Sequence, residues 1–517
     1  MTTTSNHDVV VVGGGHNGLT AAAYLARAGR SVLLLERQPE LGGATVSADA
    51  FDGMGARLSR YSYLVSLLPR QIVDDLGLSL RLARRRYSSY TPVPGGETGL
   101  LIDNHDQEAT ARSFAAVGAA GDADRWHEFY GRTTALAQRL WPTVTEPLRR
   151  RSEVAELVGD PTLVRDFLER PLGEVIEATF ASDLVRGVAL TDGLISTYAS
   201  AHEADLRHNV CFLYHVIGGG TGDWDVPIGG MGQVSGQLAQ VARRAGADLR
   251  TGATVTAVEE GAVTWQDEEG MRHRATAGHV LWAAAPAVLD GLMGGQGERV
   301  EGAQVKVNLL LSRLPRLRES GVDPAAAFGG TFHINETYSQ LERAHAEALA
   351  GRTPEPMPSE IYCHSLTDPS ILSPQLQASG AQTLTVFTLQ TPDRLLDDVA
   401  SHDETRAGLQ QAVLDSLSSV LAEPIEDVVM RTPQGELCVE TKTTRDLQDA
   451  LAMTGGNIFH APLTWPWAED DAELSTPGQR WGVATPYDGV LLAGAGSQRG
   501  GGVSGLGGYH AARAVLG

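Results

Sequence analysis

Gly13, Gly15 and Gly18 stand at the spacing G-x-G-x-x-G, and a carboxylate, Glu36, follows about 20 residues later. Each position answers a need of a bound dinucleotide. The first glycine permits a tight turn, the second lets backbone approach a pyrophosphate, and the third lets a helix lie close on the preceding strand. His16 and Asn17 complete the loop, where a helix N-terminus offers free amides and partial positive charge to phosphate. Glu36 can accept from both ribose hydroxyls and disfavours a 2′-phosphate.

Glu36, Arg37, Gly42, Gly43 and Ala44 extend the motif as E-R-x-x-x-x-G-G-A, a signature that separates FAD-binding from NAD-binding chains. Its glycine pair lets backbone run beside the cofactor. At the other end of the chain, Gly494 sits in G-V-L-L-A-G-A-G (489–496), and Gly502 and Val503 sit in G-G-G-V-S-G (500–505). A helix N-terminus there would stabilise negative charge on a reduced flavin. Two such sites in one chain point to one long cofactor, FAD.

Strands and helices must aim these loops. The pattern predicts strands over 8–12 and 31–35 around a helix over 19–28 closed by Gly29. Residues 70–215 read mostly as amphipathic helices, clearest over 125–140 and 154–168, broken by prolines. A helix is expected over 233–245, then strands over 248–259, 262–267 and 272–282, and further strands near 305–311 and 383–390. A final strand over 489–493 and a helix over 503–516 restore the opening style. Segments 1–70, 220–300 and 450–517 are expected to build one discontinuous FAD-binding domain, with 71–219 and 301–449 forming an interleaved substrate domain of mixed sheet and helices. The fold class is α/β.

Composition narrows the remaining choices. The chain has 517 residues, enough for two large cores, and its 59 glycines include clusters at 13–18, 218–232 and 494–508. A formal net charge of −22 argues against nucleic acid, whose binding needs neutralised phosphates. The basic runs at 84–86 and 149–151 read as solvated surface, with a membrane-surface or acidic-substrate patch as the alternative. Lysine occurs only at 306 and 442, an arginine bias expected of a GC-rich bacterial gene. Cys211, Cys363 and Cys438 lie far apart with no C-x-x-C, so neither a disulfide framework nor a metal site is expected. The N-terminus lacks a basic n-region and no apolar run reaches membrane-spanning length, so a cytoplasmic location, with peripheral membrane contact at most, is expected.

The stretches GGGHNGLTAAAYLARAG (13–29), LSRYSYLVSLLP (58–69), VKVNLLLSRLP (305–315), GGNIFHAPL (455–463) and GGGVSGLGG (500–508) resemble the phytoene desaturase-like flavoproteins. Within them the chain most resembles the subgroup of pyridine nucleotide-disulfide oxidoreductase domain-containing protein 2 and its bacterial relatives. The resemblance implies non-covalent FAD, an amine-oxidase-like Rossmann fold of the GR2 type, and desaturation or a related oxidation of an apolar molecule. It places Gly13, Gly15, Gly18, Glu36, Arg37 and Gly43 at the ADP half, Val255 on the adenine or pyrophosphate side, and Gly502 and Val503 at the flavin. Two departures stand out. Trp282-Ala-Ala-Ala-Pro286 replaces a polar run, and Gln498-Arg499 replaces a His-Pro near the flavin helix, a change expected to alter polarity at the cofactor's reactive end.

Catalytic candidates are few. Tyr61 and Tyr63 are candidates to line the cavity, with core packing as the competing role. His460 and, more weakly, His510 follow cofactor-side motifs. Lys306 heads a strand of the substrate domain, where a structural or surface role is the expectation. A disulfide reductase would need a cysteine pair and a second nucleotide site, and the Gly230, Gly232, Gly236 run lacks the strands for one. Thus a quinone, oxygen or another protein is expected to accept electrons. An amine-oxidase-type enzyme and a flavoprotein with mainly binding or regulatory roles are the alternatives, and a homodimer is compatible with each.

Overall fold

The computed structural model describes residues 3–397 and 400–517. Two seven-stranded sheets organise it. In the first, the strand Thr3–Val12 runs parallel between Val32–Leu35 and Arg272–Trp282. Val9 to Val12 and Leu33 to Leu35 are buried on both faces, which accounts for their unbroken apolar run. On its other edge Arg272–Trp282 serves two further partners: its first half pairs antiparallel with Ala262–Gln266, and its last three residues pair parallel with Val490–Leu492. The helices His16–Arg27, Gly232–Arg244 and Leu506–Leu516 pack together on one face. All these sheet strands come from 3–35, 248–282 and 490–492.

The second sheet runs in the order Val439–Lys442, Lys306–Leu311, Gln382–Thr388, Ser359–Tyr362, Thr331–Ile334, Tyr87–Pro92, Gly99–Asp103. Every neighbour is antiparallel except the parallel pair of Thr331–Ile334 with Tyr87–Pro92. Helices Ala123–Leu140, Leu172–Thr179, Asp183–Thr191 and Arg207–Ile217 form a separate layer around Phe129, Phe167, Phe180 and Phe212.

Three expectations are corrected. Tyr87–Pro92 and Gly99–Asp103 are a strand pair, not part of a helical run: the Pro-Gly-Gly stretch that reads as a helix break is the hairpin turn between them. The helix expected over 154–168 is divided, because Gly159 takes a left-handed φ of 67° and Pro161 starts a new turn. The strand expected over 248–259 is two strands, Asp248–Arg250 and Thr254–Glu259, on opposite sides of the first sheet.

Candidate functional site

Thr3–Val12 delivers Gly13 to the start of the helix His16–Arg27 with φ at +106°, a value open to glycine. The Gly13 amide donates to the Leu35 carbonyl at 2.8 Å, locking loop to sheet. A methyl group on Gly18 would lie 2.0 Å from the Gly13 carbonyl oxygen, so helix and strand approach as closely as backbones can. At the end of Val32–Leu35, Glu36 is buried and accepts from the Gly14 amide at 2.6 Å and the Gln38 amide at 2.7 Å. Its carboxylate is thereby fixed toward the cavity beside the glycine loop.

The C-terminal loop closes on the same place. His16 Nε2 lies 3.1 Å from the Gly502 carbonyl oxygen, so that nitrogen donates. Burial lowers the His16 pKa to about 4, leaving it neutral. Backbones of the first and last helices cross in contact, since a methyl on Gly508 would sit 1.8 Å from the Asn17 carbonyl oxygen. Asn17 Oδ1 and His460 Nδ1 are buried with no hydrogen-bond partner, two polar atoms of cavity-lining residues that a bound group would satisfy. His460 is held at φ +65°, and burial lowers its pKa to about 4.

One cavity of about 660 Å³ runs from this loop toward the second sheet. Its sheet-side wall follows from strand register. Lys442, Lys306, Phe387, Glu360 and His333 are successive cross-strand partners, and Thr331, Tyr362, Thr385, Asn308 and Glu440 form the next row on the same face. Lys306, Phe387, Glu360, His333, Thr331 and Tyr362 all line the cavity. Lys306 Nζ donates to the carbonyls of Ser59 at 3.0 Å and Tyr61 at 2.5 Å, and lies 5.0 Å from the Tyr63 ring centre. Burial lowers its pKa to about 7, with Glu440 opposing the shift. Lys306 is thus buried in the cavity wall, not on the surface. Glu360 accepts from the Tyr362 hydroxyl, and burial raises its carboxyl to about 8.

Of the residues predicted from sequence, Gly13, Gly15, His16, Asn17, Glu36, Gly43, Ala44, Gly502, Val503, Tyr61, Tyr63, Lys306 and His460 line this cavity. Gly18, Gly42 and Gly494 lie behind it, where side chains would meet backbone or packed neighbours. Arg37 turns outward to the carbonyls of Asp449 and Ala450, and Val255 sits in Thr254–Glu259, two residues beyond Ala253, whose amide donates to the Glu36 carbonyl at 2.8 Å.

Gln498 donates to the carbonyls of Trp465 and Trp467, and buried Arg499 donates to those of Thr143, Glu146 and Trp481, so neither residue sets polarity in the cavity. His510 binds the Val144 carbonyl at 2.7 Å in the core. Gly230 and Gly232 pack on Ser47 rather than forming a second nucleotide site. The three cysteines are buried and unpaired. Sequence reasoning missed Asp192, His215, His333, Glu360 and Tyr362; alternating polar positions were the available signal for the three strand residues His333, Glu360 and Tyr362, whereas Asp192 ends the helix Asp183–Thr191 and His215 lies within Arg207–Ile217.

The donors fit FAD: a glycine cradle, a buried carboxylate at ribose distance in sequence, and a second glycine loop bonded to the first. Comparison with known proteins agrees. The sequence model of the family described as FAD dependent oxidoreductase matches residues 8–117. The chain is 30% identical to mouse pyridine nucleotide-disulfide oxidoreductase domain-containing protein 2, over 99% of this chain and 93% of that one.

The chain belongs to the FAD-dependent oxidoreductase family.

It is also 53% identical to an uncharacterised protein of Mycobacterium tuberculosis, covering 98% of this chain and 97% of that one. A putrescine oxidase variant superimposes with a TM-score of 0.58 over 99% of both chains, at 17% identity, which shows a shared amine-oxidase-like fold. FAD is the cofactor of this oxidoreductase. Among the described residues no helix is long and apolar enough to cross a membrane.

Proposed function

We propose that this oxidoreductase is a dehydrogenase or desaturase acting on a CH–CH unit of an apolar, isoprenoid or lipid-like molecule, as the phytoene desaturase-like enzymes do. The observation that carries the reading is the continuity of one cavity. It joins Gly13, Glu36 and Val503 to a wall that includes Tyr63, Ile195, Phe387 and Leu463. FAD, when bound, supplies a two-electron acceptor for hydride. Around the reacting carbons, Tyr63, Phe387 and Leu463 exclude water and orient an apolar chain. The second hydrogen leaves as a proton, and the Lys306 amine, poised near neutrality, can take it at Nζ. A quinone, oxygen or another protein then takes the electrons onward.

A second reading, an amine-oxidase-type reaction, is favoured by one observation: a buried lysine stands in the cavity wall. Anaerobic stopped-flow mixing of the FAD-loaded protein with a linear polyene, with putrescine and with buffer separates the two. Bleaching of the oxidised flavin by the polyene alone is the expected result. Bleaching by the amine overturns the first reading, and bleaching by neither favours a binding or regulatory flavoprotein.

A further inference from the structure

The arginine run at 84–86 is not one surface patch. Arg84 pairs with Asp225 at 2.6 Å and with Asp223, while Arg86 pairs with Asp103 at 2.7 Å. Arg85 lies between them in chain leading into the strand Tyr87–Pro92, and it lines the cavity. A guanidinium carries five N–H donors. Here a single hydrogen bond is made, from Nη1 to the Thr331 hydroxyl at 3.3 Å, and Nε is buried without a partner. Among the described residues no carboxylate forms an ion pair with it.

The nearby acids are engaged elsewhere. Asp225 is held by Arg84. Glu360 accepts from the Tyr362 hydroxyl and, with its carboxyl raised to about 8, is mostly uncharged at neutral pH. Asp192 receives the Tyr130 hydroxyl at 3.4 Å and has His215 Nε2 at 3.6 Å. Glu336 lies 2.6 Å from His333 Nδ1. An arginine in a cavity wall without a counter-ion is costly, and a ligand anion would remove that cost. Its planar fork matches a carboxylate with two parallel hydrogen bonds.

We propose that Arg85 receives a carboxylate carried by the substrate, which makes the substrate an amphipathic acid: an apolar chain, one part of which is oxidised, ending in a carboxylate at Arg85. This rests on reading the cavity as the substrate site of an FAD-dependent oxidoreductase. Between Arg85 and Lys306 stand two rings in contact, tilted 41° to one another. The Arg85 guanidinium is 5.7 Å from the Tyr362 ring centre, Tyr362 is 4.6 Å from Tyr63, and Lys306 Nζ is 5.0 Å from Tyr63. The aromatic layer gives the apolar part of such a molecule a surface between Arg85 and Lys306.

Calorimetric titration of the FAD-loaded protein with decanoate, decan-1-ol and decylamine tests this. The wild type is expected to bind decanoate roughly 10-fold or more tightly than the alcohol. Arg85→Met should weaken decanoate by about 10- to 100-fold and leave decanol within about twofold, and Arg85→Lys should restore part of the loss. Arg85→Gln, which can still donate to Thr331, serves as a second neutral variant should methionine mispack. Decanoate bound no tighter than decanol, or not at all, overturns the proposal. So does tighter binding of decylamine, or equal loss of both ligands in the neutral variants. Absence of FAD binding would instead sink the functional reading, and the carboxylate preference would still be measured on the same protein.

Discussion

Gly18→Ala is the most direct test of the dinucleotide loop. The added methyl carbon would start 2.0 Å from the Gly13 carbonyl oxygen, where ordinary contact begins at 3.4 Å. That oxygen belongs to backbone and cannot swing aside, so the helix N-terminus must withdraw by about 1.4 Å. Amides that meet a phosphate at roughly 2.9 Å would then stand beyond 4 Å, outside hydrogen-bond range. Two such charge-assisted bonds at about 1.5 kcal/mol each give a loss near 3 kcal/mol, or a 100-fold weaker FAD complex. The affinity is read by titrating apo-protein with FAD and following fluorescence quenching, with far-ultraviolet circular dichroism to show that the fold persists. Gly236→Ala is the matched control: it lies inside the helix Gly232–Arg244 with nothing near its absent side chain. It should keep full FAD affinity and gain up to about 1 kcal/mol in stability from helix propensity. A Gly18→Ala protein that is folded and binds FAD within threefold of wild type would refute the reasoning.

Two further outcomes are expected. The Lys306 amine has a folded pKa near 7 against an ordinary 10.5, so between those values the unfolded chain holds a proton that the folded chain does not, and stability rises with pH. Between pH 7 and 9 this contributes on the order of 2 kcal/mol; the thermal midpoint of the wild type should therefore climb relative to Lys306→Met, and parallel pH profiles would contradict it. Arg499→Met leaves the carbonyls of Thr143, Glu146 and Trp481 without their donor, at roughly 1 to 3 kcal/mol each, so differential scanning fluorimetry should show a lower melting temperature while FAD affinity stays unchanged; a changed affinity with an unchanged midpoint would reverse that assignment.

The dinucleotide end was legible because its determinants are local. Gly13 to Gly18 and Glu36 lie within one strand, helix, strand unit, where Gly18 abuts Gly13 and Gly14 abuts Glu36; the contact of Gly13 with Ala283 is the one among these that spacing could not show. The second glycine loop was legible for the same reason, and its docking on the first through His16 and Gly502 adds a contact across 486 residues that spacing could not show. The sheet-side wall was not legible. Glu360 faces the cavity only because Ser359–Tyr362 pairs in one register with Gln382–Thr388 and Thr331–Ile334; a slip of one residue would turn it and Tyr362 to the opposite face. Arg85 was hidden by its neighbours, since three consecutive arginines read as one charged patch until the flanking two are seen paired with Asp225 and Asp103. The surface alternative for Lys306 failed because nothing in its own strand reveals that Ser59 and Tyr61 lie over it.

The register that hid the wall also orders its chemistry. Along one row of the second sheet, buried Lys306 and the uncharged Glu360 are separated by Phe387, and in the next row Tyr362 carries the guanidinium of Arg85 over its ring. Burial acts on these groups in opposite senses. It drives the amine and the carboxyl toward their neutral forms, whereas a guanidinium stays charged at any physiological pH. At neutral pH the sheet wall therefore offers a partly protonated amine, a protonated carboxyl and one fixed cation. An apolar chain passing Phe387 and Tyr63 meets little fixed charge except at Arg85. An acid bound there would leave its apolar part beside Tyr63 and Lys306, on the path from Arg85 toward the glycine loops, which is the orientation an oxidation of that part requires.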